Sequence, residues 1–165
     1  MAITASSRGT TVSTTGTTWA NTSNAFDGTV GTASSTYATL TTSSGGSLTV
    51  AGYSFAGVSG SANAERIYAK VRFYVSSSSN WTSYNLRAYV NGGAIGSQVT
   101  NTTIYTSATE TTLTLTGVTL SQFLDPTFGI RFTINRSENS GIAYIDYIDA
   151  YVDYSASSGW GSLSL

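Results

Sequence analysis

The chain has 165 residues, 40% hydrophobic and only 9% charged, with a formal net charge of −1. That length suits one domain with its own core, and without a basic field nucleic acid is not an expected partner. No His and no Cys are present, which removes the commonest general base, the thiol nucleophile, the usual zinc ligands and any disulfide framework.

Thr, Tyr, Val and Ile are plentiful while Lys, Glu and Gln are scarce, a balance that favours pleated strands over helices. Residues 1–18 read as an extended Ser/Thr/Gly-rich N-terminal arm with Ile3 and Val12 as its apolar anchors. Trp19-Ala20-Asn21 to Phe26-Asp27-Gly28 reads as a compact turn region, and Tyr37–Thr41 and Ser47–Phe55 as strands, with a bulge expected at Gly52. From Arg66 to Val75, Ile67, Ala69, Val71, Phe73 and Val75 alternate with Tyr68, Lys70, Arg72 and Tyr74, a period of two. Tyr84–Val90 continues the alternation, with Arg87 and Tyr89 outward, and Asn91-Gly92-Gly93 signals a hairpin. Val99–Tyr105 and Thr111–Leu115 are Thr-rich strands, and Thr119–Leu124 is a helical turn stopped by Asp125-Pro126. Phe128–Ile134 is a strand with Arg131 outward; Gly141–Tyr154 is another, whose phase slips near Asp146 and predicts a bulge there. The fold class expected is all-β: a two-sheet antiparallel sandwich of jelly-roll type over 19–154, with a C-terminal tail at 155–165.

Catalytic chemistry is hard to assemble. Lys70 is the only lysine, and neither a Gly-x-Ser-x-Gly elbow nor a phosphate-binding Gly loop occurs. A glycosidase needs two carboxylates about 5 to 9.5 Å apart. Asp149 and Asp153 are four residues apart on one strand face, about 13 Å along the strand. Either could pair across strands with Glu65 or Asp27, but solvent-facing charges that protect an edge are the expectation. Asp27, Asp146 or Asp149 could join backbone carbonyls around calcium, yet no acidic loop has regular spacing, so no metal or other cofactor is expected. The sequons at Asn21, Asn80, Asn101 and Asn135 read as chance in so Ser/Thr-rich a chain.

Two sets of residues remain as sites. The apolar residues of the ends, Ile3, Val12, Trp160, Leu163 and Leu165, either anchor the chain on a neighbouring body or fold back on its own sandwich. The outward aromatics Tyr68, Tyr74, Trp81, Tyr89 and Tyr151 serve a protein interface, ordinary packing or stacking on sugar rings.

The segments Trp19-Ala20-Asn21, Asn24-Ala25-Phe26-Asp27-Gly28 and Tyr37-Ala38-Thr39 resemble a recurring part of jelly-roll domains in virion proteins of tailed phages, especially those infecting actinobacteria. Arg66–Val71 and Ala143–Ile148 are similar in style, so the resemblance spans roughly residues 19–154. Such domains occur in capsid decoration proteins, head fibres and minor tail proteins, and the resemblance implies no catalytic residues. The expected role is therefore a capsid decoration protein on the virion surface, bound to the major capsid protein or to sister subunits, with a trimer as one arrangement. Met1-Ala2-Ile3-Thr4 lacks the basic and apolar regions of a secretory signal, and no apolar run reaches a membrane span. Synthesis in the host cytoplasm, without membrane contact, is the expectation. The alternatives are a minor tail or fibre component, or a carbohydrate-binding module that contacts glycans on the host surface.

Overall fold

Alternating inward and outward side chains over most of the chain leave no stripe for a long helix, and in the computed structural model most of the described residues accordingly lie in strands. It describes residues 2–15, 19–27, 36–41, 45–138 and 141–155. The strands are β1 (Ile3–Arg8), β2 (Thr11–Thr15), β3 (Trp19–Ala20), β4 (Ala38–Leu40), β5 (Gly46–Ala51), β6 (Asn63–Val75), β7 (Trp81–Val90), β8 (Gly93–Asn101), β9 (Thr109–Thr114), β10 (Gly129–Arg136) and β11 (Ala143–Ser155). The first sheet runs β3-β4-β11-β6-β9, with β1 also on β11; the second runs β2-β5-β10-β7-β8. Pairs β4–β11, β5–β10, β6–β9 and β7–β8 are nested and antiparallel. That nesting is a long ribbon rolled on itself, the jelly roll.

The inward sets are those the alternation defines. Ile67, Val71, Phe73, Ile145 and Ile148 of the first sheet meet Leu48, Val50, Leu86, Ile130 and Phe132 of the second, each at most 5% exposed. Phe73 packs 5.2 Å from the Phe132 ring and 4.5 Å from that of Tyr84, tying the layers together. Burying each such side chain contributes about 1.5–3 kcal/mol. Register shifts between Ile145 and Tyr147, so Ile145 and Ile148 both turn inward and Asp146 sits in the expected bulge. At Asn91 (φ 51°) and Gly92 (φ 74°) the chain takes the left-handed conformation a tight β7–β8 turn requires. The helical turn is α1 (Leu120–Phe123), capped by Thr119 and Gln122 in reciprocal hydrogen bonds. Gly52 takes φ 74° just beyond β5 rather than forming a bulge within it.

Residues 3–15 are not an arm. β1 pairs with β11 from Ile3↔Tyr154 to Arg8↔Asp149, and β2 pairs with β5 from Thr11↔Ala51 to Thr15↔Ser47. The chain crosses from one sheet to the other at Gly9, which is buried against Val50 and Ala51. β1 and β4 thus share one edge of β11, end to end, while β6 lines the opposite edge. The expected tail beyond 155 lies outside the described residues. Among the described residues no helix is long and apolar enough to cross a membrane.

Candidate functional site

The two outer faces differ in how their polar groups are used. On the first sheet nearly everything is engaged. Arg8 donates to Asp149 through Nε and Nη2, each at 2.9 Å, and its guanidinium lies 5.1 Å from the Tyr147 ring centre. Arg72 pairs with Asp146, and Lys70 with Glu110 at 3.0 Å. The Tyr147 hydroxyl donates to Glu110. Burial, then that carboxylate, pushes the Tyr147 phenol well up, while the same hydrogen bond and then Lys70 hold Glu110 below the usual carboxylate range. Asp153 accepts from Thr4 Oγ1 at 2.7 Å.

The aromatics of that face stack on one another. Tyr68 and Tyr151 lie 5.1 Å apart and nearly parallel, with Arg66 over the first and Lys70 over the second. Tyr74 stacks on Tyr144 at 4.4 Å, and Tyr37 meets both edge-on. Cross-strand pairs of this kind brace a sheet. Tyr68, Tyr74 and Tyr151 are thus each engaged in ring stacking within this face.

Trp81 is not outward at all. It is 4% exposed, belongs to the core, and lies under the Arg136 guanidinium at 4.3 Å. A register shift between Asn135 and Arg136 turns it inward against the phase of the rest of β7. Asp149, expected to face solvent, is only 7% exposed, because β1 brings Arg8 onto it. No group of three metal-capable side chains gathers among the described residues. Of the end residues, Val12 is half-buried against the core. Ile3 is the one exposed large hydrophobic among the described residues, at 47%. Trp160, Leu163 and Leu165 lie outside the described residues.

The outer face of the second sheet has another character. Its strands β2, β5, β7, β8 and β10 carry no Asp or Glu, yet hold Arg87 and Arg131 on this face, while Arg136 turns inward onto Trp81. Arg131 stands directly opposite Arg87. Arg131 Nε donates to Thr49 Oγ1 at 3.0 Å and Nη1 to the Tyr89 hydroxyl at 2.9 Å, with the guanidinium 4.0 Å from the Tyr89 ring centre. Around them lie Ser47 bonded to Thr133, and Asn135 bonded to Ser83. Of the five outward aromatics, Tyr89 is the one placed on this face, flanked by Gly129 and Ala94. Arg87 and Arg131 escape a sequence search for sites because two outward residues on strands far apart in sequence carry no sign that they will be neighbours.

No protein-family model matches this sequence, and no curated protein matches it either. Among solved structures, the chain is similar to a truncated AlyQ with CBM32 and alginate lyase domains, at TM-score 0.56 and 14% identity, over 94% of this chain and 35% of that one. It therefore spans about a third of that protein's length. A β-sandwich-superfamily carbohydrate-binding module matches at TM-score 0.44 and 14% identity, over 90% of this chain and 56% of that one. TmCBM61 in complex with β-1,4-galactotriose matches at TM-score 0.41 and 10% identity, over 85% and 86%. At such identities the likeness to AlyQ shows the fold alone: the chain is a two-sheet antiparallel β-sandwich.

Proposed function

We propose that this is a non-catalytic binding module that holds a glycan against the outer face of its second sheet. One observation carries the reading: on that face Arg131 is fixed by neutral acceptors beside Tyr89 in a lawn of hydroxyl and amide groups. Hydroxyls and amides at fixed spacing suit sugar hydroxyls, whereas a protein interface needs an apolar core that this face lacks. The fold shared with a protein that carries a CBM32 domain supports the same reading. The test is affinity electrophoresis through neutral and acidic polysaccharides. Retardation by at least one of them should be lost on Arg131→Ala or Tyr89→Ala and kept on Tyr74→Ala. Loss on Tyr74→Ala alone would move the site to the first sheet, and no retardation by any polysaccharide would end the reading.

A virion-surface role is the second reading, and it can coexist with the first. It rests on the resemblance of residues 19–28 and 37–39 to phage jelly-roll domains, and on exposed Ile3 at the start of β1. Because β1 and β2 belong to the sandwich, trimming residues 1–18 would unfold it rather than merely detach it. Ile3→Ser is the cleaner probe: weakened attachment to preformed capsids supports the role, and unchanged attachment removes Ile3 from it.

A further inference from the structure

We infer that Arg87 and Arg131 form a carboxylate-binding pair, so that the glycan held by this module is an acidic one bearing uronate groups; the inference rests on the glycan reading above. Seven basic side chains are distributed unevenly over the two sheets. Arg8, Arg66, Lys70 and Arg72 lie on the first sheet beside Glu65, Glu110, Asp146, Asp149 and Asp153. Arg87, Arg131 and Arg136 lie on the second, which has no acidic residue in any strand. Three ion pairs form among the described residues, and all three are on the first sheet.

Two like charges directly opposite each other on neighbouring strands repel. Among the described residues no carboxylate pairs with Arg87 or Arg131 to offset that repulsion. Arg87 Nε is buried with no acceptor. Arg131, by contrast, is oriented by Thr49 and Tyr89, acceptors that cost it none of its charge. The Nη groups of Arg87 and Nη2 of Arg131 make no hydrogen bond among the described residues, which leaves their N–H groups for an incoming acceptor. A single carboxylate offers two oxygens and can take one charge-assisted hydrogen bond from each arginine, or a bidentate pair from one of them.

Pairing of β7 with β8 runs from Leu86↔Val99 to Ala88↔Ile95, so β8 bulges opposite Arg87 and places no direct partner beside it. On the other side Gly129, which carries no side chain, faces Tyr89. A carboxylate seated over the arginines would have hydroxyl and amide groups of β5, β7 and β10 within the span of a sugar ring or two. An acidic protein would satisfy the charges equally, but it would find no exposed large hydrophobic side chain on this face.

The experiment is affinity electrophoresis of the full chain in polygalacturonate, alginate and hyaluronan, and in their carboxyl-reduced counterparts. The acidic polymers should retard it more strongly, and added salt should weaken that retardation. Arg87→Gln and Arg131→Gln should each cut the affinity about tenfold or more, whereas Arg66→Gln on the first sheet should not. Melting temperatures separate binding from folding. Arg87→Gln relieves the repulsion and should melt no lower than the parent. Glucuronate should raise the parent's melting temperature and leave that of Arg87→Gln unmoved. Equal binding to acidic and reduced polymers, or full affinity in both arginine variants, overturns the carboxylate pairing while leaving the glycan reading in place. If acidic and neutral glycans alike fail to bind, both fall; binding to an acidic protein without binding to polyuronates also overturns the inference.

Discussion

Gly9→Ala is a severe test of how the N-terminal strands are built in. A Cβ at residue 9 would lie 2.2 Å from Val50 Cγ1 and 2.7 Å from the Ala51 carbonyl oxygen. Val50 is fully buried, and its branched side chain has few rotamers to retreat into. The Ala51 oxygen is held at 2.8 Å by the Thr10 amide, so moving it strains the bond that begins the second-sheet pairing. Forcing one methyl into a packed site costs about 1–3 kcal/mol, and weakening that hydrogen bond adds about 1 kcal/mol. For a domain of this size the sum corresponds to a melting temperature lowered by roughly 4–16 °C. Thermal unfolding followed by circular dichroism measures it, with hydrogen exchange at Ile3–Thr15 showing where the loosening begins. A melting temperature within about 1 °C of the parent would mean that residues 1–15 are not integral to the sandwich.

Trp81→Ala should cost about 3–5 kcal/mol of stability, as expected for an aromatic removed from a core; a urea midpoint equal to the parent's would return Trp81 to the surface. Glu110 is held low by the hydroxyl of Tyr147 and then by Lys70. Its contribution is therefore present above the unfolded-state value of about 4.3 and lost as pH falls through the lower folded value. Glu110→Gln should flatten the fall in stability below about pH 4.5, read from urea midpoints across that range; an acid limb as steep as the parent's would show that the carboxylate carries none of it.

Much of the sandwich is legible from period-two alternation, because each central strand has one face on the core. The bulge at Asp146 could be read because two inward isoleucines, Ile145 and Ile148, break that period. β1 and β2 escaped because they lie at sheet edges, where Ser and Thr occupy both faces and alternation disappears. Their partners are also remote: Ile3 pairs with Tyr154. Trp81 misled because its phase follows from Tyr84 onward only if no residue is inserted, and the shift at Asn135/Arg136 inserts one. The outward direction of Arg87, Tyr89 and Arg131 was readable, but not their adjacency, which depends on the β7–β10 register. The segregation of carboxylates to one sheet becomes visible only once every strand has been assigned to its layer.

The pairing of β1 with β11 places Ile3 and Tyr154 side by side. Entry to and exit from the sandwich therefore share one corner, along the first sheet. A carrier gripping the domain by either end, or a host loop into which it is spliced, would meet it from that side, leaving the arginine-bearing face turned outward. For the same reason, a short linker joining residues 3 and 154, with a new opening at the Asn91-Gly92 turn, should give a circular permutant with the same layers and the same presented surface.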